Sequence, residues 1–372
     1  SASSTGSFGV LKLSKYNEGN GGTANTNFGM QAGEDFTTGN YNVLIGNQAG
    51  KDMTDADENV VIGDGAGQTT TGVHYALVAG RGAMQNGNVT TAANGTVALG
   101  YKALEALVSG AANTAIGYRA GKAVTAGYNV LVGFDAGLSI TSGEKNIMIG
   151  AYAGDGFDGE SANIAIGYGA FGGAVNGADK CIAIGSDALK GAVTQDGTIA
   201  IGHDSLDALT TGKGNTAVGY QTLSAITNSP GNVAIGYQAL KLATSSDGNN
   251  IAIGSGSMST GTGGYYNVCI GTQTGTGFGN ANVGACVLIG YQTGDAINST
   301  DANGTIAIGP WAAGALTTGQ YNTAIGYEAL QTATELDKNT AIGYQALKVQ
   351  SGSAGTGYNT AVGYQTGVAM TT

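Results

Sequence analysis

The chain has 372 residues, of which 68 are Gly and only 2 Pro, with 42% hydrophobic and 10% charged residues and a formal net charge of -11. Collagen is excluded because Gly does not recur at every third position with abundant Pro, and intrinsic disorder is excluded by substantial hydrophobicity with little charge. With an acidic balance and no Lys/Arg cluster standing out, no phosphate-neutralising surface and hence no nucleic acid partner is expected.

No apolar run approaches the roughly 18 residues of a membrane span, so no membrane insertion is expected. The first residues also lack a charged segment followed by an apolar one, as a secretion signal would have. Three cysteines, Cys181, Cys269 and Cys286, are too few for a disulfide scaffold.

Residues 1–22 read as an amino-terminal connector, and residues 23–372 as one repetitive domain. Segments such as Asn113-Thr114-Ala115-Ile116-Gly117-Tyr118 and Asn339-Thr340-Ala341-Ile342-Gly343-Tyr344 mark twenty units whose central Gly runs from Gly29 to Gly363, spaced by 16 to 20 residues and most often by 17. The motif keeps its length, so the connecting loop absorbs insertions. A fixed period of this size is the signature of a solenoid.

The residue three before the Gly is β-branched in every unit but one, Leu77, which is strand composition. The intervening residue is mostly Ala, so the strand is apolar on both faces and needs cover on both sides. Three residues after the Gly stands Ala, Ser or Thr, within segments such as Tyr237-Gln238-Ala239-Leu240, which read as a second short strand. Thr/Gly loops such as Thr210-Thr211-Gly212 follow. The expected fold class is therefore all-β, a parallel β-solenoid of about twenty 17-residue coils, with a length on the order of 95 Å at about 4.8 Å per coil.

In this reading the coil core is formed by the residues before the Gly: Ile45, Ile62, Ile116, Ile149, Ile166, Ile201, Ile235, Ile253, Ile325 and Ile342. The small face, carrying Ala98, Ala115, Ala165, Ala200, Ala217, Ala234, Ala324 and Ala341, has no segment of the chain left to cover it. It is expected to form the interface of a parallel homo-oligomer, closed symmetric assembly being the rule for soluble oligomers. A three-faced hexapeptide helix does not fit. Its further apolar positions are occupied mostly by Lys, Gln, Asp and Glu, with large aliphatics only at Leu138 and Val368.

Along the chain, the acidic groups Asp52, Asp55, Asp57 and Glu58, and Asp155, Asp158 and Glu160, could place two carboxylates about 5 Å apart on neighbouring coils, as a retaining glycosidase does. They read instead as solvated loop acids, and the chain is expected not to be an enzyme. No Asp-x-Asp-x-Asp-Gly loop is present, so no metal is expected. His74 and His203 lie seven coils apart, roughly 34 Å, and share no site. Gly167-x-Gly169-x-x-Gly172 has a dinucleotide-binding spacing but no crossover helix, so no cofactor is expected. Cys181 and Cys286 replace the motif Asn and Cys269 the motif Ala, and all three are expected to be buried free thiols. The motif Asn recurs in fourteen units, where stacked amides can hydrogen-bond along the solenoid. Trp311, the sole Trp, is a candidate for sugar stacking; the alternative is a coil-surface aromatic in place of Tyr. An ice-binding Thr ladder is not expected, because Thr at the third position before the Gly is mixed with Ile and Val and reads as pointing inward.

The unit Asn-Thr-Ala-Ile-Gly-Tyr-x-Ala-Leu resembles the head repeat of trimeric autotransporter adhesins, over about residues 23–372. The leader Ser4-Thr5-Gly6-Ser7-Phe8-Gly9-Val10 is similar to connectors in tail-fibre proteins of tailed phages, which carry related repeats. The resemblance implies a left-handed β-roll, a homotrimeric rod and attachment to a host envelope through a cell-surface glycan or protein. It implies a virion-surface or extracellular location, with a phage tail fibre preferred. This sequence departs from the adhesin pattern in its longer coils, in its Thr-Thr-Gly-rich loops with Tyr at nine of the twenty post-Gly positions, and in carrying no heptad stalk or membrane-barrel segment. The last unit, Asn359-Thr360-Ala361-Val362-Gly363-Tyr364, is as regular as any, so continuation into a longer fibre or end-to-end joining is expected.

Overall fold

The computed structural model describes residues 22–87, 89–174, 177–243, 248–261, 264–278, 283–351 and 357–371. The connector expected over residues 1–22 falls almost wholly outside them. The chain divides into two compact units, Ser1–Ser161 and Ala162–Thr372. Both are built from parallel β-solenoid coils, and among the described residues the only helical elements are two single 3-10 turns, at Thr91–Ala93 and Thr300–Ala302.

The first unit contributes eight three-residue strands, from β1 (Thr26–Phe28) to β8 (Ile147–Ile149), each at the repeat motif. The second contributes eleven more in chain order, from β9 (Ile164–Ile166) to β19 (Thr340–Ile342), then β20 (Val349–Ser351), β21 (Thr360–Val362) and β22 (Ala369–Thr371). Within each unit consecutive motif strands pair in parallel and in register, so Ala200 lies beside Ala217 and Ile201 beside Val218, and β19 skips to β21. Strands β20 and β22 pair separately, Val349 against Ala369.

The motif Gly is fixed by geometry. Gly219 has φ +137°, and a Cβ there would lie 2.4 Å from the carbonyl oxygen of Gly236 on the next coil. No other residue tolerates both the dihedral and the approach. Among the described residues the expected second strand does not form around the third residue after the Gly, although β20 and β22 begin six residues after Gly343 and Gly363. Its place is taken by a turn segment in which the second and fourth residues after the Gly adopt the left-handed conformation, as at Gln221 (φ 50°) and Leu223 (φ 55°). Their amides still bond between coils: Gln221 N donates to His203 O at 2.9 Å and Leu223 N to Ala239 O at 3.1 Å. Left-handed L-residues cost roughly 1–2 kcal/mol each in isolation, a cost these ladder bonds offset.

This turn segment folds over the central residue of the strand, and that reverses the expected assignment of faces. Ala98, Ala115, Ala165, Ala200, Ala217, Ala234, Ala324 and Ala341 are all 0% exposed within the single chain and form its core rather than an interface. The ten isoleucines expected inside, Ile45, Ile62, Ile116, Ile149, Ile166, Ile201, Ile235, Ile253, Ile325 and Ile342, are all exposed or half-buried on the outer face. In a three-residue strand the centre points opposite to its flanks, so covering Ala from within leaves both β-branched neighbours outside. The Thr three before the Gly, as at Thr216, likewise faces outward.

The core fills by reciprocal size. Leu44, Val61, Leu131, Met148, Cys269 and Leu288 at the strand centre each stand six residues before a Gly: Gly50, Gly67, Gly137, Gly154, Gly275 and Gly294. Where the centre is Ala, that partner is most often Leu, as for Ala98, Ala183, Ala200, Ala217 and Ala234 with Leu104, Leu189, Leu206, Leu223 and Leu240, and it is Phe171 opposite Ala165 and Met258 opposite Ala252. A Cβ on Gly294 would lie 2.8 Å from Leu288 Cδ1, and one on Gly137 2.8 Å from Leu131 Cδ2. Most coils therefore hold one large side chain at this level, supplied from either wall, as close packing requires; Val78 with Met84 supplies two, and Ala115 with Gly121 and Ala307 with Ala313 supply none.

At the edge of the core runs the Asn ladder. Asn59 N and Nδ2 donate to Asn42 Oδ1 at 3.0 and 2.9 Å, while Asn42 Nδ2 donates to Ala56 O at 2.6 Å. In the second unit Asn232, Asn250 and Asn267 each donate from the backbone to the Asn Oδ1 of the preceding coil. These amides are buried and occupied, as expected of a structural role.

Candidate functional site

Three features reach solvent in register from coil to coil: the outer sheet face, an aromatic column and an amide column. On the sheet face, pairs such as Ile182 and Ile184, Ile199 and Ile201, and Thr216 and Val218 stand outward on successive strands. Ile62, Ile116 and Ile235 are 40%, 40% and 39% exposed even though coils flank them on both sides. Their whole outward surface is uncovered.

The residue after the Gly builds the aromatic column. Tyr118 stacks on Tyr101 at 5.1 Å and on Phe134 at 5.0 Å between centroids. Tyr220 and Tyr237 stack at 5.5 Å, and Tyr327 and Tyr344 at 5.3 Å. Rings stacked on each other turn their edges to solvent, which removes their faces from sugar stacking. Beside them Gln238 Nε2 donates to Gln221 Oε1 at 3.0 Å and Gln365 Nε2 to Gln345 Oε1 at 2.8 Å.

Trp311 joins both columns. Pro310 occupies the usual Tyr position, and the indole of the next residue takes up the aromatic place, 5.4 Å from Tyr291 and 5.4 Å from Tyr327. Its Nε1 donates to Gln292 Oε1 at 2.8 Å. Tyr152, which follows Ala151, fills the column in the same way, 5.4 Å from Phe134. Trp311 thus has a structural role in the column, with aromatic neighbours on both sides.

The remaining sequence candidates are distributed rather than gathered. His74 Nδ1 accepts from Asp57 N at 3.0 Å, and Asp57 Oδ1 accepts from Asn40 N at 2.6 Å. Glu160 Oε2 accepts from Asp158 N at 2.8 Å, tying that acidic group to its own turn. His203 stacks on Tyr220 at 5.5 Å. Among the described residues no three His, Cys, Asp or Glu side chains are placed to share a metal ion. All three cysteines are buried and free. Cys181 Sγ donates toward Asp179 O at 3.5 Å and Gln195 O at 3.6 Å, keeping the contacts that Asn42 Nδ2 makes to Asn40 O and Ala56 O. Burial pushes the Cys286 thiol up to about 11 and the Cys269 thiol up as well, which makes both unreactive at neutral pH.

Half-buried carboxylates recur five residues after the Gly, at Asp155, Asp207 and Asp295, and burial raises all three above the ordinary carboxylate range. For Asp207 the negative charge of Asp204 adds to burial, and its Oδ1 has no hydrogen-bond partner among the described residues. The folded state then holds this proton more firmly than the unfolded chain does. Its contribution to stability is greatest in acid and is lost as pH rises from the ordinary carboxylate range through the raised value. Asp207→Asn is expected to raise the melting temperature at neutral pH and to leave it nearly unchanged below that window. Melting curves of the two proteins across acid and neutral pH check this, and a variant less stable at neutral pH would contradict it.

Compared with known proteins, the sequence matches no family model and none of the curated proteins.

Proposed function

We propose that the chain is a left-handed β-roll that assembles in parallel, as a homotrimer, through its outer sheet faces. The assembly serves as a structural fibre or adhesin at a virion or cell surface and mediates attachment to a host envelope. A phage tail fibre is the preferred setting; the head of a bacterial adhesin or a self-assembling extracellular filament is the alternative. The observation that supports this reading is the uncovered ladder of Ile, Val and Thr. Parallel sheets are normally covered on both faces, and here the chain covers only one.

Two outward side chains per coil make a strip roughly 10 Å wide, so the eight coils of the first unit alone offer about 400 Å² of flat footprint. Patches of that size on soluble proteins mark interaction surfaces. A second copy of the same face is the simplest cover, because its coils have the same rise and keep register along the whole contact.

Light scattering on the purified chain is expected to give three times the 36.6 kDa chain mass, independent of concentration. A monodisperse monomer would overturn the reading. The outward Thr of Thr114, Thr216 and Thr323 also suits an ice-binding face better than the sequence suggested, although Ile and Val outnumber them there. Thermal hysteresis from such a monomer would move the assignment to ice binding.

A further inference from the structure

Between residues 65 and 134 the sequence carries Arg81, Lys102, Arg119 and Lys122 but a single acid, Glu105, in a chain with 14 basic and 25 acidic residues overall. The last three of these basic residues lie on two successive coils, and beside them opens a pocket of about 510 Å³ on the wall built by the turn segments. Glu105, 7% exposed, is itself part of the pocket lining, and its charge is met by Lys102 and Lys122. Its Oε1 holds Lys102 Nζ at 2.8 Å and accepts from Asn86 Nδ2 at 3.1 Å, while Lys122 Nζ pairs with Oε2 at 3.6 Å, beyond hydrogen-bond range, so its N–H donors remain available to a second carboxylate. Arg119 donates from Nε to Asp135 Oδ1 at 2.8 Å and from one terminal nitrogen to Oδ2. This bidentate pair fixes the guanidinium plane at the pocket rim.

The floor is apolar. Ala106, Ala123 and Leu138 line it, and Leu138 stands where other coils carry Lys122, Asp155, Lys190 or Asp207. Ser139 adds a hydroxyl to the lining. The backbone of the floor is already committed between coils, Ala106 N to Lys122 O at 3.0 Å and Ala123 N to Leu138 O at 3.3 Å. A peptide strand therefore finds no free edge to extend.

We propose that this pocket binds a carboxylated hexopyranose, a uronate unit of an acidic polysaccharide. The Lys122 ammonium and the Arg119 guanidinium take the carboxylate, Asn86 and Ser139 address ring hydroxyls, and the C–H face of the sugar lies on Ala106, Ala123 and Leu138. One cationic corner, flanking amide and hydroxyl groups and an apolar floor are the recognition elements such a ring requires. The pocket opens on a different wall from the sheet face, so the proposal stands whether or not chains associate.

Calorimetric titration of the full chain with trigalacturonate is expected to show saturable binding, with the neutral galactose trimer, inorganic sulfate and a glutamate oligomer binding much more weakly. Lys122→Gln and Leu138→Asp are each expected to weaken trigalacturonate binding about tenfold or more, the worth of one charge-assisted hydrogen bond. Both place a residue type that the same coil position carries elsewhere, at Gln68 and Asp155, so the coil remains folded, which circular dichroism checks. Absence of saturable binding by the unmodified chain would overturn the proposal. So would undiminished binding in both folded variants, or equal affinity for sulfate or the glutamate oligomer.

Discussion

Ala200→Glu is expected to destroy the fold, whereas Ile201→Glu, one residue later, is expected to leave the coils intact and abolish association. Ala200 is fully buried and lies beside Ala183 and Ala217 on the neighbouring strands. A carboxylate there has no polar partner and displaces packed side chains, a combination that costs more than about 4 kcal/mol. Ile201 points the other way and is half-buried at the outer face. A charge there meets water in the single chain, so the cost to folding is small. In an assembly closed through that face the same substitution brings one buried carboxylate per copy, unpaired and facing its like, at several kcal/mol each. Circular dichroism and light scattering on the two variants separate the outcomes. A folded monomer from Ala200→Glu would restore the alanines to the interface, and an intact oligomer from Ile201→Glu would remove the sheet face from it.

The period, the motif Gly, the buried Asn ladder and the free thiols were all legible in the sequence, because each leaves a residue type recurring at a fixed place. The orientation of the strand was not. Ile201 and Ala200 are both apolar, and the larger one is normally the better candidate for the inside. What decides the matter lies six residues away: Leu206 already fills the space opposite Ala200. The signal was present as the exchange of Leu131 and Gly137 for Ala217 and Leu223, since residues that trade volume must share a cavity. The turn segment left a similar trace. In Tyr237-Gln238-Ala239-Leu240, two outward residues precede two inward ones, which no strand of period two can produce. The uronate pocket was visible only as an oddity, Leu138 in a column of charges. The basic cluster around it was diluted by the acidic composition of the whole chain.

Exchanging the two sizes within one coil provides the most direct test of how the core is filled. Leu288→Ala empties a fully buried site and is expected to cost about 2–5 kcal/mol, cavity included. Gly294→Leu forces a side chain against Leu288 Cδ1 and Ile297 Cδ1, where a Cβ alone would come within 2.8 and 3.0 Å. It also places an L-residue at φ +59°, and overpacking with that strain is expected to cost about 3 kcal/mol or more. The double variant rebuilds the arrangement found at Ala217, Leu223 and Ile226, where Leu is native at φ 55°. The adjoining coil, with Ala307 and Ala313, leaves room on that side. Independent effects would sum to a loss of at least about 5 kcal/mol, but the pair is expected to recover half of it or more, a coupling well above the few tenths found for distant sites. Equilibrium denaturation of the two single variants and the double gives this coupling. Additive losses would mean that Leu288 and Gly294 occupy separate spaces, contrary to a coil that admits one large side chain from either wall.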